Sequence, residues 1–111
     1  MEFLLLIYEN EKRFSKGYPE AELAEYRAFG KAHETAIRGG KALQATDTAA
    51  TVRVREGKVL STDGPFAETK EQLGGFYLVE ARDRQEAVAM AAKIPAARFG
   101  CVEVRPIMKF S

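Results

Sequence analysis

The chain has 111 residues, 46% of them hydrophobic and 30% charged, and its 17 basic and 16 acidic side chains leave a formal net charge of +1. That length suits one domain with one core, and the apolar fraction is too high for a disordered chain. A near-neutral balance, with lysines and arginines scattered among glutamates, argues against a nucleic-acid partner, whose binders gather a basic face.

Phe3 to Tyr8 is a continuous apolar run. Its length favours a strand buried on both faces over a helix. It lacks the basic flank and small-residue cleavage site of a signal peptide. No apolar run reaches the ~20 residues that span a bilayer. No membrane association and a cytoplasmic location are therefore expected. Glu9 to Tyr18 is polar, carries Gly17 and reads as a loop.

Pro19 suits the first turn of a helix, and Glu20 and Glu22 complement the positive end of its dipole. The spacing predicts a helix to about Arg38, stopped by Gly39 and Gly40. Leu23, Tyr26, Gly30, His33 and Ile37 fall on one stripe, widened by Phe29 and Ala36. Ala42 to Ala45 is a weak strand candidate. Thr51 to Arg55 alternates, Glu56-Gly57 reads as a tight turn, and Lys58 to Thr62 completes a hairpin.

Asp63-Gly64-Pro65 breaks the second arm of that hairpin, and Glu68 to Gln72 suits a short helical turn. Gly75 to Ala81 is the clearest later strand. Asp83 followed by Glu86 resembles a capping box opening a second helix. Ala87, Val88, Ala91 and Ile94 form its predicted buried stripe, and Pro95 ends it. Cys101 to Ile107 is the last strand, with Val102 and Val104 on one face and Cys101, Glu103 and Arg105 on the other. Cys101 is the one cysteine, so no internal disulfide can form and a reducing compartment is expected. In a strand it reads as a buried, inert thiol.

This order is that of a ferredoxin-like α+β domain, βαββαβ, with an inserted hairpin and both helices on one sheet face. Phe3, Leu5 and Ile7 then point one way, and Leu4, Leu6 and Tyr8 the other. Two layers hide only one of these sets. A twin sheet from a second copy is the simplest cover for the other, which predicts a homodimer.

The candidate site residues follow from chemistry. Asp63, in a turn with Gly64 and Pro65, has two readings. It is either a stiff turn, its carboxylate accepting backbone N–H groups, or a carboxylate held at a pocket rim with a low pKa, suited to orienting an imidazole. His33, the single histidine, is either a hydrogen-bonded core residue or a base near neutral pH. Glu103 and Arg105, two apart on one face, suit an ion pair or a ligand contact; Tyr26 and Phe66 are further ligand-binding candidates. One histidine and one cysteine fall short of a zinc set, and no phosphate loop or serine elbow is present, so no metal and no cofactor are expected.

Asp63-Gly64-Pro65-Phe66-Ala67-Glu68-Thr69-Lys70-Glu71, followed by Leu73-Gly74-Gly75-Phe76-Tyr77, resembles the signature of the DGPF branch of the YCII-related family. Ala92-Lys93-Ile94-Pro95 and Val102-Glu103-Val104-Arg105-Pro106 fit the same pattern. The resemblance covers nearly the whole chain. It implies ferredoxin-like dimers packed sheet to sheet, the dimeric α/β barrel. Some DGPF domains are found beside extracytoplasmic-function sigma factors, which implies a regulatory or interaction module as the alternative to an enzyme. A few YCII-like relatives are lyases that eliminate chloride from chlorinated hydroxyquinols with a histidine and an aspartate. Counting back from Lys41-Ala42-Leu43 places Phe29 at about the position of that histidine, with His33 one turn later. The lyase aspartate does not align cleanly with Asp63. The expectation is a small-molecule pocket between helix and sheet, with cofactor-free proton transfer or elimination by His33 as base and Asp63 as its orienting partner.

Overall fold

The structure, a computed structural model, describes residues 1–110. Strand β1 (Glu2–Glu9) leads through a one-turn 3-10 segment (Glu11–Phe14) to helix α1 (Glu20–Ala32) and strand β2 (Ile37–Ala42). Strands β3 (Ala50–Arg55) and β4 (Lys58–Asp63) follow, then β5 (Gln72–Glu80), helix α2 (Arg84–Ala91), a turn at Pro95–Arg98 and strand β6 (Cys101–Pro106). Four strands form an antiparallel sheet in the order β2-β5-β1-β6, and β3-β4 is a separate two-stranded sheet. This is the expected α+β, ferredoxin-like fold with its inserted hairpin.

The apolar run of β1 occupies the middle of the sheet, between β5 and β6. Its burial alternates: Phe3, Leu5, Ile7 and Glu9 are buried, and Leu4, Leu6 and Tyr8 are half-buried. The buried set meets Phe29 of α1 and Ala87, Met90 and Ala91 of α2 in one core, closed by Val79, Ile94 and Ala96. Cross-strand partners share a face. Leu4 and Leu6 therefore lie on the open face with Leu78 and Phe76 of β5 and Arg105 and Glu103 of β6.

The hairpin is where the spacing placed it. Glu56 and Gly57 take φ of 51° and 75°. Two consecutive positive values make the primed turn that matches strand twist.

Helix α1 ends at Ala32 rather than Arg38. His33 leaves the helical region, and its carbonyl accepts the N–H groups of both Ala36 and Ile37. Gly39 and Gly40, read as a helix stop, belong to β2, which ends at Ala42 where a strand was expected to start. Gly39 has open space around it, whereas Gly40 is required by close packing. A Cβ on Gly40 would lie 2.8 Å from the Phe76 carbonyl and 2.9 Å from the Tyr77 ring. The segment ahead of β5 is irregular instead of a helical turn, and β5 already starts at Gln72.

In α2, Met90 takes the buried position expected of Val88, which is 44% exposed. The capping reading holds: Asp83 accepts the Glu86 N–H at 2.9 Å, and Glu86 accepts the Arg82 N–H at 3.1 Å. Asp83→Ala is expected to cost about 1 kcal/mol. Thermal melting should show a midpoint lower by about 4–8 °C, and an unchanged midpoint would leave the cap without a role.

Candidate functional site

Small residues on the sheet and large ones on the helix make a cleft. Gly40, Gly74 and Gly75 bring β2 and β5 to its floor without side chains, while Leu23 and Tyr26 of α1 and Tyr18 just before it form the opposite wall. Ile7 and Tyr77 complete an apolar lining around a volume of ≈ 280 Å³. Gly75 has no room for anything larger, since a Cβ there would lie 2.9 Å from the Lys41 carbonyl.

One carboxylate opens onto this cleft. Glu9 continues the inward alternation of β1 and is only 4% exposed. Burying such a charge requires a partner. Arg13, one 3-10 turn later, supplies it: its Nη1 donates to Glu9 at 2.7 Å and its Nη2 to Glu22 of α1 at 2.8 Å. The guanidinium lies 3.7 Å over the Phe99 ring, a cation–π contact that fixes its plane. Phe14 stacks on Tyr18 at 3.8 Å and carries this support to the cleft wall. Glu22 is equally buried, and its second oxygen, Oε2, has no partner among the described residues.

These surroundings set the electrostatics. Burial pushes the Glu9 carboxyl above the usual carboxylate range, Arg13 pulls it back, and the Glu22 charge pushes it further up. Burial, followed by the Glu9 charge, also raises the phenols of Tyr18 and Tyr26, and burial alone raises that of Tyr77. The three tyrosines thus stay neutral at physiological pH and can donate hydrogen bonds. A second cleft of ≈ 500 Å³ adjoins the first across Glu9, Tyr18 and Gly74, between Phe14, Leu43 and Gln72.

Of the residues singled out from sequence, Tyr26 lines the cleft. His33 is half-buried at the C-terminal end of α1, its Nδ1 3.0 Å from the Phe29 carbonyl and its ring 4.5 Å from that of Phe29. Asp63 is exposed at the end of β4, and no hydrogen bond or ion pair joins it to His33. Among the described residues the Asp63 carboxylate accepts no backbone N–H. The turn is held instead by the Gly64 N–H on the Ala49 carbonyl at 2.7 Å and by Thr51 Oγ1 on the Gly64 carbonyl at 2.8 Å, with Gly64 at φ 94°. Phe66 is 82% exposed.

Glu103 and Arg105 do pair, at 3.0 Å, on the open sheet face, and Tyr8 donates to Glu103 at 3.4 Å. Cys101 is exposed rather than buried. Desolvation, then the Glu71 carboxylate beside it, pushes its thiol up, which favours the protonated form at neutral pH.

The residues that sequence reasoning missed are Glu9, Arg13 and Glu22. Glu9 to Tyr18 read as a solvated loop, and Glu22 as a dipole partner. The signal was present in β1, where Phe3, Leu5 and Ile7 at a period of two carry the core face onward to Glu9. An arginine four residues later is then the natural counter-charge.

The YCII-related domain model matches residues 1–111. The chain belongs to the YCII-related family. An uncharacterized protein of Rhizobium meliloti (strain 1021) is 35% identical over 114 residues, spanning 96% of this chain and 92% of the relative. Among solved structures, the chain resembles 5-chloro-2-hydroxyhydroquinone dehydrochlorinase from Burkholderia phenoliruptrix AC1100, in complex with 2,5-dihydroxybenzoquinone. The TM-score is 0.57 at 15% identity, over 97% of this chain and 94% of that one. At that identity the likeness is one of fold.

Proposed function

We propose that this YCII-related domain binds a small hydroxylated aromatic ring in the cleft between α1 and the sheet, and that Glu9 exchanges a proton with it. The observation that carries the reading is a buried carboxylate opening onto an apolar cleft walled by three tyrosines. A volume of ≈ 280 Å³ suits a single ring. Tyr18, Tyr26 and Tyr77 offer ring faces for stacking and phenol O–H groups for ligand oxygens. A carboxylate raised above its ordinary range by burial is a stronger base than a solvated one, and once protonated it can return the proton as an acid. Proton removal of this kind is the first requirement of an elimination, the chemistry named for the dehydrochlorinase of like fold.

The test is calorimetric titration with hydroquinone, 2-hydroxyhydroquinone and 2,5-dihydroxybenzoquinone. At least one is expected to bind, and Leu23→Trp, which places an indole in the cleft, is expected to abolish the signal. If none binds at millimolar concentration to folded protein, the reading falls.

We further infer that two copies pair through the open sheet face. Support comes from the half-buried Leu4, Leu6, Tyr8, Phe76 and Leu78, which no element of the same chain covers.

A further inference from the structure

We propose that Arg13 is the positioning residue of the cleft and that Glu22 tunes Glu9 by competing for it. The inference rests on the proposed role of Glu9 and adds the residues that control it. One guanidinium spans two carboxylates, each about 95% buried, at 2.7 and 2.8 Å. One positive charge cannot neutralise two negative ones, and the shortfall is visible as the unpartnered Glu22 Oε2. Packing fixes the sharing. The Phe99 ring lies under the guanidinium, and the two terminal nitrogens of that planar group donate to different acceptors. Glu9 thus holds half an ion pair. It remains anchored in orientation yet is left with more proton affinity than a fully paired carboxylate.

Other groups facing Glu9 do not offset this. Tyr18 and Tyr26 at the cleft wall are neutral phenols, and Glu71, ahead of β5, adds negative charge. Arg13 is the only cation in ion-pair contact with Glu9 among the described residues; Lys41 lines the same cleft and Lys12 the adjoining one without pairing with it.

The arrangement predicts shifts of opposite sign from two substitutions, which a merely structural role would not produce. Glu22→Gln keeps the shape and removes the competing charge, so the Glu9 midpoint should fall by about one pH unit. Arg13→Met keeps an apolar stem over Phe99 and removes the cation, so the midpoint should rise by about one unit or more. Carbon-13 NMR of the Glu9 side-chain carboxyl reads both directly and needs no ligand. If Arg13→Met does not fold, Glu22→Gln alone decides: a midpoint that stays put or rises overturns the inference. Because this titration is independent of the aromatic ligands, a failure of ring binding removes the proposed function while leaving the tuning intact.

Discussion

Gly100→Ala is expected to destabilise the fold by about 3 kcal/mol or more, at or beyond the upper end of ordinary overpacking. Gly100 sits just before β6, where the chain crosses the end of β1. A Cβ there would collide with the Tyr8 carbonyl oxygen and lie 2.9 Å from Glu9 Cα. Those neighbours are backbone, not the end of a flexible side chain, so relief requires β6 to pull away from β1. Tyr8 pairs with Cys101, so the first ladder position would open, and Glu9, with its ion pair, would move with it. Gly30→Ala is the control. It lies inside α1 with nothing within 4 Å of its Cβ position. There alanine should stabilise by up to about 1 kcal/mol through helix propensity. Urea denaturation of the two variants should therefore move the midpoint in opposite directions. A Gly100→Ala midpoint within error of the wild type would mean that β6 slides at no cost, and that the position of Glu9 is not fixed from this side.

Periodicity and turn chemistry made most of the fold legible. The β1 run, the Glu56-Gly57 turn and the Asp83–Glu86 cap all lie where local rules placed them, because each is decided by neighbours in sequence. What was missed depends on contacts across the sheet. Gly39 and Gly40 look alike as a helix stop and as a strand, and only the approach of Phe76 and Tyr77 shows that Gly40 is needed for packing. Val88 and Met90 are both apolar, and the helix rotation that exposes one and buries the other is set by the surface beneath α2.

The site was less legible than the fold. Tyr26 was identified from its place on the helix stripe. The buried ion pair joins β1, a 3-10 turn and α1, and a polar segment gives little sign from composition alone that Glu9 and Arg13 are held against the core. Asp63 shows the reverse case: a conspicuous motif whose carboxylate makes no bond in the turn that surrounds it.

Leu6→Asp is expected to convert a dimer into a monomer, or to leave the protein insoluble. Leu6 lies on the central strand of the open face, opposite Phe76 on one side and Glu103 on the other. Leu4, Tyr8 and Leu78 extend the same apolar surface. Monomers seldom leave a patch larger than a few hundred Å² uncovered, and a stable interface buries about 1,200 Å² or more in total. The β3-β4 hairpin adds to the demand, since two-stranded sheets are marginal in water and Val52, Val54 and Val59 on one of its faces are all more than half exposed. A two-fold pairing of open faces covers the sheet patch with one operation. An aspartate at residue 6 would then enter the interface twice. It would be desolvated without a cation and would lie beside Glu103, whose own charge is already committed to Arg105. Several kcal/mol per copy is the expected cost, enough to weaken association about 10³-fold or more. Light scattering at micromolar concentration should give twice the chain mass of 12.3 kDa for the wild type and a single mass for the soluble variant. A wild-type mass of one chain would remove the dimer, and the open face would then need another occupant.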